Sequence, residues 1–144
     1  MKKLIFTLLF LSFAVNAASP IRQIYCMESD NSIEKPIRLT YAIIYYNADN
    51  WVGSYVKYSN SDKPMSLNLV DYKYIDNGTK SELITERWGE FINGTLNGHY
   101  IISSQGVYIT NFSYTSKKGA EYRFKENREA FSPSSQSCDW NKTK

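Results

Sequence analysis

Apolar and polar side chains alternate along much of this chain. Ile37, Leu39 and Tyr41 are separated by the more polar Arg38 and Thr40, and the same period of two returns at 120–125. Such a period places successive side chains on opposite faces, as in a β-strand with one buried face. The pattern predicts strands at 21–27, 37–46, 51–58, 65–75, 100–102, 107–114 and 120–125.

The strand predicted at 65–75 contains an irregularity. Leu67 and Leu69 share one face, whereas Val70, Tyr72 and Tyr74 share the other. A change of apolar face within one strand indicates an additional residue, that is, a β-bulge between Leu69 and Val70.

The segment 79–90 fits two kinds of element. Thr79 to Glu82 matches a capping box, and the apolar residues after it lie at helical spacing, which favours a helix. The same residues also alternate acceptably as a strand. Both alternatives stay open at this point.

Turn signals divide the rest of the chain into short pieces. They fall at Asn93-Gly94, Asn97-Gly98, Gln105-Gly106 and Lys118-Gly119. Short strands with turns at intervals of roughly ten residues are typical of an antiparallel sandwich or barrel. The sequence therefore predicts an all-β fold of about eight strands, a single barrel or sandwich with a meander in its C-terminal half, and an irregular segment at 130–137.

The N-terminus has the three parts of a secretory signal peptide. Two lysines precede an apolar run at 4–14, which ends in the small-residue pattern of Val15-Asn16-Ala17. A membrane-spanning helix needs roughly 20 apolar residues, so the run is too short for an anchor. We expect residues 1–17 to be removed and residues 18–144 to form one domain without a membrane anchor, periplasmic or secreted. The Lys-Lys start and the frequent Asn, Lys, Ile and Tyr are typical of a bacterial protein.

Two cysteines lie near opposite ends of the predicted domain. An exported protein meets an oxidising compartment, where pairing of Cys26 with Cys138 is the expected outcome. A disulfide that closes so long a loop contributes roughly 4–5 kcal/mol in the chain-entropy model. The alternative, two reactive thiols, has neither a Cys-x-x-Cys motif nor a neighbouring histidine in its favour.

Charge and candidate chemistry exclude several functions. The formal charge is +3, of which Lys2 and Lys3 contribute two, so the mature domain has no electrostatic footprint for nucleic acid. The single histidine, His99, follows Asn97-Gly98 and is expected at an exposed strand start. Glycine-rich phosphate loops and metal-ligand spacings are absent from the sequence, so we expect no cofactor and no metal. A third functional prediction is a hydrolase, which would have to use Glu86, Glu90 or His99.

Aromatic residues carry the favoured functional prediction. The chain has 12 Tyr and 3 Trp, residues that are frequent at binding surfaces because a rigid apolar ring ends in a polar group. We expect a non-enzymatic domain that binds a protein partner, such as an envelope enzyme that it inhibits or a toxin that it neutralises. The candidate contact residues are Trp51, Trp88, Tyr108, Tyr114, Lys117, Lys118, Tyr122 and Arg123.

One short segment points in the same direction. Over about ten residues, Tyr114 to Arg123 resembles the Ser-x-Gly-x-x-Tyr loop with which small periplasmic β-barrel lysozyme inhibitors enter an enzyme cleft. The spacing departs from that loop, because two lysines separate Ser116 from Gly119. The resemblance implies an inhibitory turn and no more.

The second functional prediction is a carrier of a small molecule or lipid inside a barrel. It requires that a set of apolar side chains lines a cavity instead of filling a core. That set is Tyr41, Ile43, Tyr72, Tyr74, Phe112 and Tyr114. The oligomeric state is left open, since an edge strand can pair with another chain.

Overall fold

The computed structural model describes residues 19–30, 35–46, 51–76, 78 and 81–143. The predicted signal peptide at 1–17 lies outside the described residues.

Eight antiparallel strands close into one barrel, in which each strand pairs with its neighbours in sequence and the last pairs with the first. The strands are β1 Ile21–Ser29, β2 Arg38–Tyr46, β3 Trp51–Tyr58, β4 Met65–Ile75, β5 Leu83–Ile92, β6 Thr95–Gln105, β7 Tyr108–Ser116 and β8 Glu121–Glu126. The all-β prediction is confirmed. Of the two predicted architectures, barrel and sandwich, the structure has the barrel. After β8 come two short 3-10 helices, Arg128–Ala130 and Trp140–Thr143, and a small hairpin of β9 Phe131–Ser132 with β10 Ser137–Cys138.

The ambiguous segment is a strand, so the helical alternative is wrong. From Leu83 onward it pairs on one side with β4 and on the other with β6. Two ladders satisfy the backbone of β5 on both edges, and its side chains alternate between the barrel interior and the outer surface. Thr79 and Lys80, where the capping box would begin, lie outside the described residues.

The predicted bulge in β4 is confirmed. The register to β5 shifts between Leu69 and Asp71, so Val70 is the additional residue. The extra residue returns Tyr72 and Tyr74 to the barrel-facing side of the sheet, the side of Leu69. The change of apolar face in the sequence is therefore the trace of the bulge.

Only one of the two Asn-Gly pairs forms a turn. Asn93 and Gly94 adopt φ angles of 50° and 76° and form the two-residue hairpin between β5 and β6. Because that turn is already made, Asn97-Gly98 lies within β6, and the prediction of a turn there is wrong. Gly98 serves close packing instead, since a Cβ at this position would clash with the hydroxyl of Tyr114.

The remaining turn predictions are confirmed. Gly106 and Gly119 have φ angles of 60° and 85°, in the left-handed region that favours glycine. They lie in the β6–β7 and β7–β8 connections.

Pairing around the barrel is uneven. β3 and β4 pair only at Ser54–Leu67, Tyr55–Ser66 and Val56–Met65, which we call the β3–β4 seam. β1 and β8 pair only at Met27–Glu126, Glu28–Lys125 and Ser29–Phe124, the β1–β8 seam. The barrel therefore consists of a three-stranded sheet, β1–β3, and a five-stranded sheet, β4–β8, joined at two short seams.

The β1–β8 seam has reinforcements on both sides. Asn127 N–H donates to the Cys26 carbonyl oxygen at 2.7 Å, and Asp30 N–H donates to the Arg123 carbonyl oxygen at 2.9 Å. Beside it, the Cys26 sulfur is bonded to Cys138, as predicted, with 5.6 Å between the two Cα atoms. The disulfide is consistent with an exported protein. In the part of the chain that the structure describes, no helix is long and apolar enough to cross a membrane.

Aromatic rings fill the barrel. Phe112 lies at the centre, with its ring centroid 5.2 Å from that of Tyr41 and 5.6 Å from those of Tyr100 and Phe124, each in an edge-to-face arrangement. Such pairs add roughly 0.5–1.5 kcal/mol each to the gain from burial. The interior is a packed core rather than an open channel.

Candidate functional site

The two tryptophans among the predicted contact residues differ in burial. Trp51 is 56% exposed, and its ring lies over Gly53 on the outer face of β3. Trp88 is 1% exposed and lies inside the barrel, where its indole N–H donates to Glu86 Oε2 at 3.0 Å. Trp88 is therefore out of reach of a protein partner on the surface, contrary to the expectation of an exposed anchor.

The three tyrosines of the same set also divide. Tyr108 is exposed at the start of β7, and the guanidinium of Arg128 lies 5.5 Å from its ring centroid. Tyr114 is buried in the core, and Tyr122 packs against that core from β8. A buried ring cannot anchor a partner on the surface, which corrects the expectation for Tyr114. Tyr122 is only partly buried, so its binding role stays a prediction.

The basic residues of the set lie around the β7–β8 turn. Lys117 and Lys118 are exposed there, and Arg123 pairs with Glu121 at 3.2 Å on the outer face of β8. This turn and Trp51 lie at opposite ends of the barrel, as the strand registers show. The structure does not bring the predicted contact residues together, and a binding role for the exposed ones stays a prediction.

A different surface combines an open backbone edge with exposed rings. Beyond Leu67, no residue of β4 in the described ranges pairs with β3, although β4 continues to Ile75 and stays paired with β5. On the other side of the gap, Trp51 to Gly53 pair with β2 alone. We call this opening, between 51–53 and 68–75, the β4 slot. Its β4 wall offers N–H and C=O groups to an added strand.

The side chains of the β4 slot are unusually apolar for an exposed edge. Tyr72 is 64% and Tyr74 55% exposed, and both lie on the barrel-facing side of β4. On the outer face, the side chain of Val70 meets those of Phe91 and Leu96 over Gly89. Exposed apolar side chains on both faces of an edge favour an interaction site. The sequence signal for it is the apolar character of both faces of 69–75.

A buried carboxylate holds the end of the barrel beside the β3–β4 seam. Glu90 is 3% exposed, and its carboxylate accepts hydrogen bonds from Tyr114 at 3.1 Å, from Tyr100 at 3.3 Å and from Asn97. Tyr58 and Tyr100 share a further bond of 2.6 Å between their hydroxyls. We call these five residues the Glu90 cluster. The Glu90 carboxylate and all three phenols have partners, so the cluster is a structural network.

The phenols of the Glu90 cluster stay protonated. Burial, with the charge of Glu90 as a further cause, raises the pKa of Tyr114 well above the usual range and also raises the pKa of Tyr58. Burial is also the first cause of the raised pKa of Tyr100. Neutral phenols are donors, which is what the carboxylate requires.

A second inward carboxylate, Glu86, lies towards the other end of the barrel. Burial raises its pKa above the ordinary value of 4.5, and the hydrogen bond from the Trp88 indole opposes that rise. Burial, followed by the charge of Glu86, raises the pKa of Tyr45 to about 12. Tyr25, Tyr41 and Tyr45 surround the carboxylate with a cavity of only about 10 Å³, room for a water molecule at most.

These carboxylates are poorly arranged for the hydrolytic alternative. Glu86 and Glu90 are four residues apart on one strand, about 13 Å along its axis, whereas glycosidase carboxylates lie about 5 to 9.5 Å apart. His99 lies within β6, half-buried between Gly89 and Thr115, and not at an exposed strand start as expected. Among the described residues, no three His, Cys, Asp or Glu side chains form a group able to hold a metal ion.

Glu86→Gln is expected to shift the pH dependence of the free energy of unfolding towards greater stability at high pH. The folded state holds the Glu86 proton above pH 4.5, where the unfolded state loses it, so this residue costs stability as pH rises through that range. Glutamine stays neutral and still accepts from the Trp88 indole. Urea unfolding at about pH 4 and about pH 8 measures the difference. An identical pH dependence in both proteins would show that the Glu86 carboxyl titrates normally.

The residues proposed for a carrier cavity do not enclose one. Tyr41, Ile43, Phe112 and Tyr114 belong to the packed core. Tyr72 and Tyr74 are exposed at the β4 slot. The geometry therefore favours a filled barrel over a ligand-containing one at these positions.

A polar groove of about 410 Å³ lies on the outer surface, where the C-terminal segment runs beside β1 to β3. Its walls include Arg22, Lys57, Asp62 and Trp140. The volume is sufficient for a small ligand, but ligand pockets are lined mostly by apolar side chains, and this groove is not.

Comparisons with protein-family models, with curated proteins and with solved structures gave no match.

Proposed function

We propose that this chain is an exported, non-enzymatic bacterial protein, periplasmic or secreted, that binds a protein partner through the β4 slot. The observation that carries the proposal is that, among the described residues, 68–75 of β4 have a strand partner only in β5, next to the exposed rings of Tyr72 and Tyr74. A β-barrel fold is compatible with a binding or carrier role, and the filled interior favours binding at the surface.

The partner segment that fits this site is an extended strand. A strand that pairs with β4 gains main-chain hydrogen bonds along its length, and side-chain contacts provide the specificity. Tyr72 and Tyr74 would contact one face of the added strand and Val70 the other. Trp51, from β3, borders the slot on its far side. A toxin or an envelope enzyme with an exposed strand is a partner of this kind.

The proposal predicts that Tyr72→Ala and Tyr74→Ala each weaken capture of the partner at least about tenfold, the effect of a binding hot spot. The measurement is a pull-down from the native envelope fraction and medium with immobilised residues 18–144. The captured protein is identified and quantified by mass spectrometry. Tyr108→Ala is the matched control, because this tyrosine is equally exposed but lies on β7.

Two further results decide the matter. Amide hydrogen exchange at 68–75 should slow when the partner is bound, since a strand then pairs with this edge. Equal capture by all three variants, or loss only in Tyr108→Ala, would place the contact elsewhere on the barrel. Co-purification of a small molecule without a protein would favour the carrier.

A further inference from the structure

We infer that the β4 slot is self-complementary and that two copies of this chain pair through it, strand β4 against strand β4, as an antiparallel dimer. The inference rests on the free edge used in the proposed function and names what occupies that edge when no other partner does. The dimer is the resting form, and a partner strand has to displace one copy.

Strand β4 carries two side chains of opposite charge on its outer face. Asp71 and Lys73 are two residues apart, so both point to the outer face of the sheet. Asp71 pairs there with Arg87 of β5 at 3.6 Å, and the two side chains are half-exposed. Lys73 lies opposite the neutral Thr85, so the described residues give it no acid on the neighbouring strand.

The two-residue spacing of Asp71 and Lys73 favours one pairing register in a two-fold symmetric dimer. When two antiparallel copies of β4 are centred on Tyr72, Asp71 of each copy lies opposite Lys73 of the other, and the two Tyr72 rings face each other. Directly opposite residues in an antiparallel pair are close, and pairs of unlike charge stabilise it. The same patch serves both copies, as a two-fold interface requires.

Neighbouring registers are less favourable. Pairing centred on Lys73 places the two lysines opposite each other, and pairing centred on Asp71 does the same with the two aspartates. A shift by one residue turns the tyrosines to the wrong face. In the register centred on Tyr72, four side chains lie side by side across the outer face of the joined sheets. They are Arg87 and Asp71 of one copy, followed by Lys73 and Thr85 of the second copy, so no two like charges are adjacent.

A charge-complementation experiment tests the dimer. Lys73→Asp leaves only acids at the two positions, and Asp71→Lys leaves only bases. Each variant alone is expected to raise the dissociation constant of the dimer at least about tenfold, because attraction becomes repulsion at two pairs. An equimolar mixture of the two restores the ion pairs and is expected to dimerise again, within about threefold of the wild-type protein.

Sedimentation equilibrium from about 1 μM to about 1 mM measures the mass of each protein. Lys117→Asp is the control, since it makes the same charge change at an exposed lysine of the β7–β8 turn. Circular dichroism checks the fold, and Lys73→Asp alone, which preserves the Asp71–Arg87 pair, is sufficient if Asp71→Lys unfolds.

Three results would overturn the inference: a wild-type monomer at every concentration, a dimer unaffected by either variant, or a mixture that stays monomeric. The proposed function fails separately, when the pull-down finds no protein that depends on Tyr72 and Tyr74. A monomer that captures such a protein keeps the function and removes the dimer.

Discussion

Replacement of Cys26 and Cys138 by alanine is expected to lower the free energy of unfolding by roughly 4–5 kcal/mol. The bond closes a loop with a sequence separation of 112 residues, and the chain-entropy model assigns an effect of this size to loops of that length. It also holds the C-terminal segment against β1, beside a seam of only three residue pairs. Domains have a total stability of only about 5–15 kcal/mol, so the loss is a large part of it.

Urea unfolding of the wild-type and double-alanine proteins measures the difference. A reducing agent provides the control, because it should destabilise the wild-type protein to the level of the variant and leave the variant unchanged. A loss below about 1 kcal/mol would mean that the β1–β8 seam is held by its hydrogen bonds and core contacts without help from the disulfide.

Trp88→Ala is expected to cost about 3–5 kcal/mol, the range for truncation of a buried aromatic side chain. The ring is 1% exposed and faces the barrel interior from β5, between the inward carboxylates Glu86 and Glu90. Its removal leaves a cavity and takes the indole donor from Glu86. The free energy of unfolding, from chemical denaturation at neutral pH, is the quantity to compare.

Trp51→Ala is the matched control on the adjacent side of the β4 slot. Its ring is 56% exposed, so we expect a loss below about 1 kcal/mol, as for most surface substitutions. Comparable losses in the two variants would mean that the packing of Trp88 does not distinguish it from a surface residue.

The contrast between these tryptophans shows where sequence patterns stop being informative. Period-two alternation identified most strands, but it left β5 open between strand and helix and found only 100–102 of β6. The change of apolar face at Leu69 and Val70 identified the bulge. Alternation alone does not say which face is inside when both carry rings, as at Trp88. The answer depends on the register of β5 between β4 and β6, which is a property of the closed barrel.

The Glu90 cluster has the same origin. Its members come from β3, β5, β6 and β7, so residues far apart in sequence meet only after closure. The strand directs Glu86 and Glu90 inward, which the helical alternative for 79–90 does not predict. Likewise, Asn97-Gly98 carries the local signal of a turn, and the packing of Tyr114 against Gly98 overrides it.

The β4 slot could not be predicted from the sequence either. The length of β4 and its apolar residues are visible in the pattern, but the end of pairing after Leu67 is not. An unpaired edge is a relation between two strands, and the turn residues at 59–64 carry no trace of it.

The two short seams divide the chain in a way that matters for protein engineering. The connection at 59–64 is the only direct link in sequence between the three-stranded and the five-stranded sheet. Cys26 belongs to the first sheet and Cys138 follows the second, so a chain cut within this connection remains one covalent molecule. Such a cut would give a split protein, in which the disulfide keeps the fragment with β1–β3 and the fragment with β4–β8 together at high local concentration.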